Sequence, residues 1–171
     1  TQRGRVFGGE LLLRMRPVGR GYGFLSYTLM RSERGEAGEA FRLFDRDQTH
    51  ILAATAVTRV GRGWELGATF RYTSGTPYSP VVASTYEATT DVYQPRLGSP
   101  MSARNPAFSR LDLRIQKSWT FSKWSLAVHL DVQNVFNAEN REGFRYSYDY
   151  RRREGTPGLP ILPVLGLRGE L

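Results

Sequence analysis

Asp45, Asp47 and His50 lie close together and offer oxygen and nitrogen donors of the kind that hold a cation. A calcium loop needs more oxygen ligands and a spaced glycine, and that pattern is missing. A loop-to-strand junction is the better reading, and no metal is expected. His50 and His129 have no partner near them in sequence. His129 falls in an alternating polar run, which suits a wall residue better than a ligand or a general base. Asp131, Gln133, Asn134 and Asn137 form a polar row where a strand meets its loop. That row could contact a ligand, but amides and carboxylates at such a junction more often make the hydrogen bonds of a wall and a turn.

The segment Arg141 to Arg153 interleaves basic and aromatic residues, among them Tyr146, Tyr148, Arg151 and Arg152. Such a run can stack on bases and pair with phosphates. It can equally meet a small anionic ligand, or be a solvated loop. No known nucleic-acid motif accompanies it. No nucleophile–base arrangement and no phosphate-cradling glycine loop is present. The chain has no cysteine, which removes disulfides, thiolate metal sites and thiol nucleophiles together. No enzyme activity and no cofactor are expected.

The elements that must position these residues are read from periodicity. From Arg110 to Asn137 the pattern has a period of two, the mark of strands with one apolar and one polar face. Leu111, Leu113, Ile115 and Trp119 oppose Asp112, Arg114, Gln116 and Ser118; then Trp124, Leu126, Val128, Leu130 and Val132 oppose Ser125, Ala127, His129, Asp131 and Gln133. A tight turn near Phe121–Lys123 joins the two arms into a hairpin. By parity Lys117 shares the apolar face close to that turn, where a long cationic side chain can snorkel. The arms run to roughly 10–13 residues, longer than an ordinary strand and long enough to cross a bilayer when tilted. Trp119, Phe121 and Trp124 cluster at the turn. Phe136 extends the same parity roughly 28 Å along the membrane normal, close to the spacing of two aromatic girdles.

The same alternation recurs at 8–16, 23–31, 47–59, 64–74 and 161–171, giving about seven strands in all. In Trp64 to Ser74, Arg71 falls on the polar side with Glu65 and Thr69. Short turns are expected at 17–21, 60–63 and 121–123, and long polar loops at about 32–46, 75–108 and 138–158. The loop at 75–108 reads as irregular because of Pro77, Pro80, Pro95, Pro100 and Pro106. Short and long connections alternate, as in an outer-membrane barrel with short periplasmic turns and longer extracellular loops. With 171 residues the chain is one domain by size. Its mean hydropathy is −0.44 and no run approaches a membrane-spanning helix. The opening residues carry no apolar leader, so an exported protein would have lost one by processing or truncation. The net charge of +8, nearly all from arginine, admits nucleic acid, anionic lipid or an acidic ligand as partner.

Several stretches, in order, resemble the C-terminal barrel strands of TonB-dependent outer-membrane receptors. They are Asp45-Arg-Asp-Gln-Thr-His-Ile-Leu52, Gly63-Trp-Glu-Leu-Gly67, Thr73-Ser-Gly-Thr-Pro-Tyr78, Leu111-Asp-Leu-Arg114, Asp131-Val-Gln-Asn-Val-Phe-Asn137 and Gly158-Leu-Pro-Ile-Leu-Pro163. The resemblance spans nearly all of residues 1–171. It implies an all-β fold of antiparallel transmembrane strands, part of a barrel of about 22 strands closed by an N-terminal plug. It implies a bacterial outer-membrane location and active uptake of a scarce ligand, most often a ferric siderophore. The implied partners are outer-membrane lipid, the rest of the barrel and plug, the TonB complex through an N-terminal part not in this chain, and the imported ligand. Nucleic acid is not among them. On this reading Leu111, Leu113, Ile115, Leu126, Val128, Leu130, Leu165 and Leu167 face lipid. Arg71, Asp112, Arg114, His129 and Asp131 face the lumen. Tyr86, Tyr93, Asn137, Arg141, Tyr146, Tyr148, Arg151 and Arg152 lie in the extracellular loops and mouth and are the ligand-contact candidates. The family's last strand normally ends in an aromatic, where this chain has Leu171. The rivals are a basic soluble β-domain that binds nucleic acid, and a small passive outer-membrane barrel.

Overall fold

The computed structural model describes residues 2–141 and 143–171, without the side chain of Val18. The chain is all-β and antiparallel, and no described residue is helical. Its main sheet runs β1 (Gln2–Val18), β2 (Gly21–Glu36), β4 (His50–Gly61), β5 (Trp64–Thr73), β10 (Phe108–Thr120), β11 (Ser125–Gln133) and β14 (Leu162–Glu170), each beside its predecessor. A short β3 (Arg42–Leu43) adds to the far end of β2. Because every neighbour is antiparallel, the turns after β1, β4 and β10 share one end. The connections after β2, β5 and β11 share the other.

The turn end is built by local backbone chemistry. Arg62 and Gly63 have φ of 51° and 77°, the two positive values a type I′ hairpin requires. Gly63 is needed twice over: its φ is positive, and a Cβ there would collide with the Ser118 carbonyl. The Ser118 amide donates to the Gly63 carbonyl at 2.8 Å, which ties this turn to β10. The third turn closes where the Phe121 amide donates to the Trp124 carbonyl at 2.8 Å, with the two rings stacked at 4.4 Å.

The loop end contains more order than the prolines suggested. Residues 74–107 form two small hairpins, β6 (Pro77–Tyr78) with β9 (Ala103–Arg104) and β7 (Val81–Glu87) with β8 (Val92–Leu97). Prolines fit there because each pair is two-stranded, so every strand has a free edge that asks for no ladder donor. The third loop carries β12 (Gly143–Tyr146) with β13 (Arg153–Thr156). The first hairpin also extends well beyond its expected ends, since β1 and β2 pair from Gln2↔Glu36 down to Val18↔Gly21.

The register sorts the strands into two faces. Leu113↔Val132, Ile115↔Leu130, Lys117↔Val128 and Trp119↔Leu126 meet on one. Phe70, Ala68, Leu66 and Trp64 of β5 join them on one side, and Leu165 and Leu167 of β14 on the other. Arg114↔Asp131 and Gln116↔His129 meet on the opposite face with Thr69 and Arg71. No hydrophobic side chain is buried among the described residues, whereas Ser32, Glu33, Asp47 and Asn134 are. Leu165 and Leu167 are 71% and 73% exposed. A water-facing sheet of this size would bury one apolar face against a second layer. Among the described residues nothing forms a second layer over this one.

One expectation fails here. Phe136 does not continue the apolar parity of β11. The strand ends at Gln133, and Asn134 turns left-handed at φ 52°. Phe136 is exposed in the following loop and marks no girdle on that face.

Candidate ligand-binding site

The polar face and the loop end both carry candidate residues. On the polar face β10 and β11 put Arg114 and Asp131 opposite one another, and the guanidinium donates to the carboxylate at 3.2 Å. His129 Nε2 lies 3.6 Å from the same carboxylate, and Gln116 accepts from Arg114 at 3.0 Å. Arg110 pairs with Asp112 at 2.9 Å. Arg71 stands across the ladder from Arg110, and together with Thr55, Thr69 and Gln133 these side chains line a depression of ≈ 280 Å³. The five polar-face candidates thus belong to one charged surface. Its side chains are hydrogen-bonded and ion-paired to one another.

The loop candidates divide. Tyr86, Tyr93 and Tyr148 form a chain of rings, Tyr86 to Tyr93 at 5.2 Å and Tyr93 to Tyr148 edge-on at 5.5 Å. Both spacings suit aromatic pairs, which prefer tilted or edge-to-face contact. Tyr146 packs on Tyr150 at 5.7 Å. Val92, Tyr93, Tyr146, Ser147, Tyr148 and Tyr150 line a cleft of ≈ 350 Å³ between the second and third loops. The Ser84 hydroxyl donates to the Asp149 carbonyl at 2.6 Å, and the Tyr148 hydroxyl donates to the Asp91 carbonyl, so the loops are fastened at their tips. Tyr86 donates to the Asp91 carboxylate at 2.8 Å, and this bond, aided by partial burial and Tyr93, raises the phenol above its ordinary value. Nearer the sheet, Arg153 lies over Phe144 at 3.3 Å and Tyr78 at 4.9 Å, a further cross-loop tie.

Asn137 and Arg141 lie elsewhere. The Asn137 side chain accepts from the Ile161 amide at 3.0 Å, and Arg141 pairs with Glu139. Arg151 and Arg152 are exposed beside the cleft, and Asp149 is 3.7 Å from Arg151. The Ser147 hydroxyl, followed by the Arg151 amide, holds the Asp149 carboxyl below its usual range. Tyr150 was not among the candidates. Its spacing from Tyr146 and Tyr148 was visible, but nothing in sequence separates a cleft-lining ring from a solvated one.

Two polar hubs hold the loop end. Asn134, fully buried, donates from its amide to the Ala138 and Leu159 carbonyls at 2.9 and 2.8 Å. Its side-chain oxygen accepts from the Ala138 amide at 3.1 Å, and its own backbone amide reaches Asp112 at 3.0 Å. Asp131, Asn134 and Asn137 of the row at 131–137 thus have hydrogen-bond partners within the sheet and the loop that follows it. Asp47, also fully buried, accepts from the Ser32 amide at 2.7 Å, Thr49 at 3.0 Å and Arg104 at 2.6 Å. Burial pushes its carboxyl upward, but the Ser32 amide, Arg104 and Thr49 outweigh this and leave it below the usual value. His50 instead bonds the Tyr27 hydroxyl at 2.8 Å. No cluster of three or more metal-ligating side chains occurs among the described residues.

No protein-family model matches the chain, and neither a curated protein nor a solved structure matches it.

Proposed function

We propose that the chain is the C-terminal part of the barrel of a TonB-dependent outer-membrane receptor, serving active uptake of a scarce ligand, most often a ferric siderophore. The observation that carries this reading is the apolar face: continuous across β1, β2, β4, β5, β10, β11 and β14, uncovered, and without a buried core. In lipid such a face needs no second layer. On β5 it runs from Trp64 at the turn end to Tyr72 at the loop end. That is about 26 Å of strand and about 20 Å of height once tilted, comparable to an apolar band of about 25 Å. The free edges of β1 and β14 would pair with the remaining strands of the barrel.

The tyrosine cleft supplies the ligand contacts. Tilted and edge-on phenols with Arg151 and Arg152 beside them suit an aromatic, anionic molecule. The test is expression of the full chain followed by fractionation, circular dichroism and electrophoresis with and without boiling. A β-rich species that partitions with membranes and changes mobility on boiling is expected. A soluble, monomeric β-protein obtained without detergent would overturn the reading, and nucleic-acid binding at varied salt would then be measured.

A further inference from the structure

A separate depression lies on the apolar face, at the turn end and away from the loops. Met15, Ala56, Thr58, Leu66, Ala68 and Ile115 line it, and its volume is ≈ 530 Å³. That falls within the roughly 300–1,000 Å³ of ligand clefts. It forms because small side chains on β4 and β5, Ala56↔Ala68, are neighbours in the register while Met15, Leu66 and Ile115 stand around them.

One ladder step toward the turns, where Ile115↔Leu66 gives way to Lys117↔Trp64, the face changes character. The Lys117 ammonium lies 5.4 Å from the Trp64 ring centre and 5.5 Å from that of Trp119, and donates to the Arg62 carbonyl. Among the described residues no carboxylate pairs with it. Arg20 and Arg62 are exposed on the adjoining turns, with the Arg20 guanidinium beside Gly61. A cation anchored between indoles at the end of an apolar groove complements a molecule with one anionic head and an aliphatic tail.

We propose that this groove is a binding site for an anionic phospholipid, the acyl chain lying over Ala56 and Ala68 and the phosphate at Lys117. The proposal rests on the membrane reading above. It is tested on the full chain reconstituted in phosphatidylcholine vesicles, with Trp124→Phe leaving Trp64 and Trp119, the two rings beside Lys117, as the reporters. Dibrominated phosphatidylglycerol and dibrominated phosphatidylcholine serve as the quenchers. Brominated phosphatidylglycerol is expected to quench these two indoles with an apparent affinity about fivefold higher, the worth of one cation at a lipid surface. Lys117→Gln should erase that preference. Ala56→Leu with Ala68→Leu should reduce quenching by both lipids while membrane insertion persists.

Equal quenching by the two lipids, unchanged by Lys117→Gln, overturns the site and leaves the membrane reading standing. No quenching by either, with the protein in the aqueous fraction, overturns both. No quenching in a membrane-inserted protein that cross-links to itself overturns the lipid in favour of a second copy of the chain.

Discussion

The two faces of the main sheet use alternate residues of the same strands, yet they are held to different standards. On the polar face side chains answer one another: Arg114 with Asp131 and Gln116, Arg110 with Asp112, Thr55 with Thr69 at 3.2 Å. On the apolar face Leu130, Leu165 and Leu167 stand open, and its polar contacts lie toward the margins, Tyr27 with His50 at the loop end and Lys117 with the Arg62 carbonyl at the turn end. In water the second face would be the costly one. In lipid the costs reverse: the apolar face is solvated, and a charge placed on it is not. Adjacent positions on one strand should therefore respond oppositely to the same kind of change.

The largest effect is expected from Leu130→Arg, which sets a charge among Ile115, Val128 and Leu165. Near the bilayer midplane this should cost about 2–4 kcal/mol, measured as loss of the folded, membrane-inserted fraction in a denaturant titration in vesicles. Asn134→Ala comes next. It strips the Ala138 and Leu159 carbonyls and the Ala138 amide of their partner, for about 2–3 kcal/mol. The measurable sign is protease cleavage between residues 134 and 161 while the sheet survives.

Asp47→Asn should be milder, about 1–2 kcal/mol, because Arg104 is partly exposed and water screens it. Its sign is faster proteolysis within 74–107. The same contact has a pH signature. The Asp47 carboxyl is lower in the folded state than in the unfolded chain, so its contribution is full above the unfolded value. It is lost as pH falls through the folded one. Protease sensitivity of that loop should rise only in acid below the ordinary carboxylate range, and Asp47→Asn should flatten the profile. The smallest effect is expected from Asp131→Ala, next to Leu130. It breaks a part-exposed pair and should change stability by less than about 1 kcal/mol. A comparable loss from Leu130→Arg and Asp131→Ala would dissolve the contrast between the faces.

The sheet was legible because its signal is local. Trp64, Leu66, Ala68, Phe70 and Tyr72 alternate with Glu65, Gly67, Thr69, Arg71 and Thr73, and the backbone converts parity into a face without further information. The turn at Arg62–Gly63 is legible for the same reason. The misreading of Phe136 shows where parity stops: one left-handed residue, Asn134, resets it, and an asparagine inside a polar run does not announce that it will cap a loop. The tyrosine cleft was legible only in its parts. Tyr86, Tyr93, Tyr146 and Tyr148 were candidates singly, but their meeting depends on bonds between distant loops, such as Ser84 to Asp149. The hairpins within 74–107 were hidden by prolines that an edge strand accepts and a central one does not.

The central claim is that the two faces meet different solvents. The chain has no cysteine of its own, so single cysteines can be placed along β11 at Leu126, Ala127, Val128, His129, Leu130 and Asp131 and probed in vesicles with a water-soluble maleimide. Labelling at Ala127, His129 and Asp131 with protection at Leu126, Val128 and Leu130 is the predicted result. Equal labelling at all of these positions would contradict it.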